Sequence, residues 1–298
     1  MGSLNIAKRY WMFRQPAVRR QIEQLDAQQD CQHIAALLAT YEYPYEFQHA
    51  LELALLYTYA SPKVSRLLDR TGEFAKHGQK RYDDTRILIG LLLESGWDGD
   101  FGRQALQRIN QTHGHYRIHQ DEFLFVLWTF IDFPIQWTLR YSQRAMTAHE
   151  QTAWFNFWIG IGQRMGLQDL PLDQAAFDEW QQQYQLREFY YDPANQRVTR
   201  ATTHIIENML PRPLRPVVNW MVSGLMNAEF LYAVGYPQPT SAQRWLCHGL
   251  LKAYSHVNIP LFWMSYPVLV SRANDPYAKQ QLKAIHQIQP MHLAKRSR

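Results

Sequence analysis

Apolar residues return every three to four positions along most of this chain, and helix start and stop signals bracket those runs. In "KRYDDTRILIGLLLESG" (80–96), Ile87, Leu88, Leu91 and Leu92 fall on one helical face and Gly96 supplies a stop. "SPKVSRLL" begins with Ser61 at an N-cap position and Pro62 at the first helical position. "DGDFGRQALQRINQTHG" predicts a helix that ends at Gly114. "TAHEQTAWFNFWIGIGQRMG" carries Thr147 and Glu150 in capping-box spacing and closes at Gly166. "LDQAAFDEWQQQYQL" sets Phe177, Trp180 and Tyr184 on one stripe. No segment alternates with period two, and no strand–glycine-loop–helix unit occurs. With no internal repeat and no long linker, the expectation is one all-α domain over 1–298, built as a multi-helix bundle.

Composition narrows the function classes. The chain is 46% hydrophobic and 19% charged, enough for a sizeable core and unlike a disordered chain. Its 31 basic and 26 acidic residues leave a net charge of +5 that is spread out, so no nucleic-acid partner is expected. Two short basic stretches stand out: an arm within 1–20 that includes Trp11 and Phe13, and the tail "LAKRSR". Each reads as a solvated terminus or as a contact with an anionic membrane surface. Cys31 and Cys247 have no metal-knuckle spacing, and "MGSLNIAKRYW" lacks a secretory apolar region. Gly2 is not followed by Ser or Thr at position 6, which is Ile6, so the myristoylation motif fails. A cytoplasmic placement follows, with peripheral membrane association left open. "FLFVLWTFI" (123–131) is too short to span a bilayer. "AYSHVNIPLFWMSYPVLVS" (253–271) approaches that length but contains Asn258, Pro260 and Pro267, and reads as a buried helix pair or an interfacial segment. From 216 to 243 the only charge is Glu229, so the last third is where an apolar wall is expected, whether core, substrate tunnel or membrane-facing surface.

"RINQTHGHYRIHQDEF" (108–123) places His113, His115 and His119 within seven positions. His115 and His119 have the spacing of a helical metal pair, but Gly114 interrupts and no acidic residue completes a zinc-protease motif. "EFQH" offers Glu46 and His49 as one half of a di-iron carboxylate site, which needs a second such pair; the nearest relative is "DCQH" with Asp30 and His33. A single histidine could also serve as the axial ligand of a haem. Spacing alone does not separate these readings from an ordinary core histidine.

A wider pattern does. "KRYDDTRILI" (80–89), "INQTHGHYRIHQDEFLFVLWTF" (109–130) and "RYSQRAMTAHEQTAWFNFWIGIGQRMGLQDLP" (140–171) follow one another in order and spacing. That set resembles the family of the endoplasmic-reticulum-bound oxygenase of mycophenolic acid biosynthesis (the MpaB-like, DUF2236 family), which also holds the rubber oxygenases called latex clearing proteins. The resemblance spans roughly residues 50 to 210 and is carried by the order of the pieces. It implies a haem-dependent all-α fold of the rubber oxygenase type. It implies haem b and dioxygen acting on an apolar, unsaturated, isoprenoid-like small molecule, by oxidation or cleavage. It puts the proximal iron ligand at His113, cofactor-binding residues at Arg81 and Thr85, and catalytic residues at Asp84 and Thr85. The rubber branch carries a lysine where this chain has Asp84, so the likeness is closer to the mycophenolate-like branch. On a helix, Arg81, Asp84 and Thr85 share one face. Arg81 is then expected to neutralise Asp84 or a haem propionate, and Thr85 to donate a hydrogen bond towards dioxygen. His115 and His119 become supporting or surface residues. Two rivals remain: a non-catalytic haem- or lipid-binding helical protein, and a di-iron oxidase through Glu46 and His49.

Overall fold

The computed structural model describes residues 16–257 and 276–294, and every regular element among them is helical. The chain enters through α1 (Pro16–Gln24) and α2 (Cys31–Leu37), and α2 runs on into a π-helical turn, Leu38–Glu42, where the Tyr43 N–H donates to the Leu38 carbonyl at 2.8 Å. That turn delivers Glu42 and Tyr43 to Arg144, which donates to Glu42 at 2.6 Å and lies over the Tyr43 ring at 5.0 Å. Next come α3 (Pro44–Thr58), α4 (Pro62–Thr71), α5 (Glu73–Ser95), α6 (Asp100–His113), α7 (Gln120–Tyr141), α8 (Ala148–Arg164), α9 (Gln174–Glu188) and α10 (Pro193–Met209). The last third contributes α11 (Pro216–Leu225), α12 (Ala228–Ala233), α13 (Ser241–Val257), α14 (Pro276–Leu282) and α15 (Met291–Ala294).

The most extensive helix pair is α3 with α7. Both are apolar around most of their circumference, as helices enclosed by others must be. Around this pair α5 packs on α6, α2 on α8, and α10 on both α4 and α5. One contiguous buried cluster runs from Val18 to Ile288 and contains Phe125, Trp154, Phe157 and Trp158. Aromatic rings concentrate there: Tyr57 meets Phe125, Phe133, Phe189 and Phe230 with centroids 5.1–6.0 Å apart. Pro134 lies inside α7, where its missing N–H leaves the Phe130 carbonyl without a helical donor; the Trp154 indole donates to that carbonyl at 3.2 Å.

The expected helix ends are mostly present. Gly96 and Gly166 take positive φ (63° and 81°) at helix C-termini, and Thr147 with Glu150 forms the full capping box of α8. Gly114 instead keeps a right-handed conformation, φ −60°. Ser61 precedes α4 but donates to Glu122 at 3.0 Å rather than capping the helix. The helix expected from 80 begins earlier, at Glu73, and bends at His77 (φ −136°). No described helix is long and apolar enough to cross a membrane. Residues 1–15 of the basic–aromatic arm, most of 253–271 and the end of the tail lie outside the described residues.

Candidate functional site

The second half of α5 and the end of α6 carry the residues singled out above. Asp84 has no solvent exposure. It accepts hydrogen bonds from Lys80 Nζ and from Tyr277 Oη, both at 2.5 Å, and Lys80 also donates to the Gln289 carbonyl at 2.9 Å. The sequence suggested Arg81 as the partner of Asp84. The folded chain supplies Lys80, one turn before Asp84, and Tyr277, from the far end of the sequence. Thr85 is one residue further round the helix and lies in a cavity wall, its hydroxyl donating to the Arg81 carbonyl at 2.8 Å.

The three clustered histidines have three different environments. His113 closes α6 with Nδ1 sealed from solvent and without a hydrogen-bond partner, and the Phe123 ring meets the imidazole edge-on at 5.2 Å. Burial, and then the positive charge of Arg81, push the His113 pKa down to about 4. The ring is therefore neutral at physiological pH and keeps a lone pair to offer. His115 is exposed and bonds the Gln111 carbonyl at 2.7 Å, while His119 caps α7 by accepting from the Asp121 N–H. The structure thus brings Arg81 within electrostatic reach of His113 and turns Asp84 towards the C-terminal segment. Among the described residues no group of three His, Cys, Asp or Glu side chains is set to hold a metal ion. His49, from the di-iron alternative, pairs with Glu52 at 3.4 Å, and Glu46 accepts from Ser142 at 3.4 Å. A single neutral imidazole with an unpartnered, buried nitrogen fits a prosthetic group that brings its remaining metal donors with it, as a porphyrin does.

Beside α5 lies a cavity of about 180 Å³ walled by α3, α5, α7, α10 and the π-helical turn. Phe47, Leu51, Leu55, Ile89, Leu93 and Phe130 make it largely apolar; Thr85 and Thr202 add hydroxyls. His113 is not part of its lining. One polar cluster sits in the wall and escaped the sequence reading. Glu52 accepts from Tyr82 Oη at 2.6 Å and from Gln48 at 3.3 Å, besides facing His49. Burial acts to raise the Glu52 carboxyl, but His49, Tyr82 and Gln48 together hold it below its usual value. Burial and the Glu52 charge push the Tyr82 phenol up, so Tyr82 remains a donor. The signal available in sequence was the i, i+3 and i, i+4 spacing of Gln48, His49 and Glu52; Tyr82 joins them only through the α3–α5 approach.

Residues 50–256 match the family described as ER-bound oxygenase mpaB/B'/Rubber oxygenase, catalytic domain. Among curated proteins, the chain is 27% identical over 221 residues to "ER-bound oxygenase mpaB'" of Penicillium brevicompactum, covering 68% of this chain and 52% of that protein. It is 27% identical over 216 residues to "ER-bound oxygenase mpaB" of Penicillium roqueforti (strain FM164), covering 66% of this chain and 72% of that protein. The mpaB of Penicillium brevicompactum is 28% identical over 195 residues, 59% of this chain and 50% of that relative. The chain thus spans about half the length of two of these relatives.

Proposed function

The chain belongs to the family of the ER-bound oxygenases mpaB and mpaB' and the rubber oxygenase catalytic domain, and from that premise we propose that it is a haem-dependent oxygenase. Its substrate in this reading is an apolar, unsaturated, isoprenoid-like small molecule that it oxidises or cleaves with dioxygen. The observation that carries the reading is His113, a neutral imidazole whose buried Nδ1 has no partner. When bound, a b-type haem supplies the iron centre at which dioxygen is activated. His113 would hold that iron, and Phe123 limits the ring's rotation. Arg81 would set its guanidinium against a haem propionate. Thr85 directs its hydroxyl proton to the Arg81 carbonyl and so offers the cavity an acceptor; to donate, it must release that bond. Asp84 is a positioning residue in this proposal, since Lys80 and Tyr277 hold it and with it the turn that carries Arg81 and Thr85. The apolar cavity wall would exclude water and take the hydrocarbon part of the substrate. The reading includes peripheral contact with a membrane, in keeping with the words "ER-bound" in the relatives' names.

The test is spectroscopic. After reconstitution with haem, the wild-type protein should show a Soret band and consume oxygen with an apolar alkene. His113→Ala should lose the band, while His115→Ala and His119→Ala should keep it. A protein that stays colourless, or a band that survives His113→Ala and vanishes with either other change, overturns the assignment.

A further inference from the structure

Helix α13 is mounted with its apolar residues on both sides, and among the described residues only one side has a protein partner. Inward, Gln243 donates to the Trp220 carbonyl at 2.8 Å, Cys247 is fully buried against Gly224, and Leu251 packs on the cluster of Ala50, Trp137 and Tyr141. His248 bonds Tyr141 Oη at 2.5 Å. Outward, Ala242, Trp245, Leu246, Gly249, Leu250 and Ala253 make a single stripe along three turns, each residue having a partner three or four positions away. All six are exposed; Trp245 is 76% exposed, Leu250 51% and Leu246 43%. A Cβ added at Gly249 would meet nothing within 4 Å, so the stripe faces open space among the described residues. A helix on a water-facing surface carries polar residues on that side; here the outer stripe contains none.

We propose that this stripe is a membrane-docking face, by which α13 lies in the headgroup layer of an anionic bilayer without crossing it. Charge decides the occupant. Helix α13 contains Arg244 and Lys252 and no Asp or Glu. Arg244, His248 and Lys252 form an i, i+4 row along one edge of the stripe, and Arg140, exposed at the end of α7, acts electrostatically on His248, so the cations lie on that one edge. Arg244 donates to a neutral acceptor, the Met226 carbonyl, at 3.0 Å, which holds the side chain in place and leaves its charge. A tryptophan and two leucines with cations along one edge fit an interfacial helix, in which apolar side chains enter the acyl boundary and cations meet anionic headgroups. A second copy of the chain is the poorer occupant: a standard protein interface uses about 20–30 residues a side, far more than this stripe provides. The proposal rests on the peripheral reading above and adds to it the face that makes the contact.

The test uses the full chain, flotation with phosphatidylcholine vesicles with and without phosphatidylserine, and gel filtration. Wild type should float with the phosphatidylserine vesicles, and less so with pure phosphatidylcholine or at high salt. Leu246→Glu combined with Leu250→Glu should lower the bound fraction about tenfold with an unchanged far-ultraviolet circular dichroism spectrum. Gly249→Leu, which extends the stripe into open space, should lower the lipid concentration needed for half-maximal flotation about fivefold; it also decides the matter if the double variant fails to fold. If both variants float like wild type, the membrane contact lies elsewhere and this face is wrong, while the peripheral reading stands. Wild type that floats with no vesicle removes both. A dimer that the double variant converts to a monomer makes the stripe an interface between copies and overturns the proposal.

Discussion

Asp84 shows how much one residue's role depends on partners distant in sequence. Its carboxylate is fully enclosed and bonded at 2.5 Å by an ammonium and by a phenol. Removing one member of a buried, hydrogen-bonded charge pair leaves the other uncompensated, at a cost of about 3–5 kcal/mol. Asp84→Ala should therefore lower the unfolding free energy by about that amount in urea titrations. Asp84→Asn keeps the shape and an acceptor for Tyr277, and should lose about 1–3 kcal/mol. As a positioning residue, Asp84 predicts that the haem-loaded Asp84→Asn protein has an unchanged ferric spectrum. A shifted spectrum at undiminished stability would place the carboxylate near the iron instead.

At the scale of elements, α7 carries a half-buried carboxyl, Asp132, that nothing in the proposed chemistry uses. Asp132 faces α9, where Asp178 is held by Trp128 Nε1 and Gln174, each at 2.7 Å. Burial, and then the charge of Asp178, push the Asp132 pKa up from 3.8 to about 7. Between those two values the folded chain holds a proton that the unfolded chain has released. This contribution to stability is complete below about pH 4 and is lost as the pH rises through about 7. Asp132→Asn should flatten that dependence and raise stability at pH 8 by about 1 kcal/mol or more, measured by urea melts at pH 5 and pH 8. An unchanged pH profile would remove Asp132 as its source. The Thr147/Glu150 element belongs to this scale too. It was part of what made the sequence resemble its family, and its observed work is architectural: it caps α8 and holds Arg144 through two 2.7 Å bonds.

At the scale of the molecule, the C-terminal segment clamps the helices that carry the candidate site. Glu73, at the start of α5, accepts from the Met291 and His292 N–H groups at 3.0 and 2.9 Å. Arg108 on α6 donates to the Ile288 carbonyl and to Gln289, and Tyr116 bonds His292 at 2.7 Å. With Tyr277 on Asp84, these bonds run from the last stretch of chain to α5, α6 and the loop after His113. A chain ending at residue 275 would leave Glu73, Asp84 and Arg108 enclosed without those partners. It should unfold at lower temperature and bind haem with less than a tenth of the wild-type affinity, an effect of about 1.4 kcal/mol or more, read by thermal melts and haem titration. Equal stability and affinity in the truncated chain would refute the clamp.

The sequence by itself determined the helices and most of their ends, because the signals involved act over three or four residues. The Thr147–Glu150 cap, the Gly96 and Gly166 stops and the Phe177–Trp180–Tyr184 stripe are all local events. It also singled out His113 from three neighbouring histidines, through the resemblance rather than through spacing. Tertiary structure decided everything that depends on which helix faces which. Asp84 meets Tyr277 across 193 positions, Glu52 meets Tyr82 across 30, and the cavity draws on five separate segments. The same holds for the charge-poor, apolar part of the last third of the chain. Its composition allowed core, tunnel or membrane face alike, and in α13 the choice came from packing. Gln243, Cys247 and Leu251 were turned inward by contacts with α11 and α7, which left Trp245, Leu246 and Leu250 outside. A helix with apolar residues on both sides has no preferred orientation of its own, so only its neighbours could assign one.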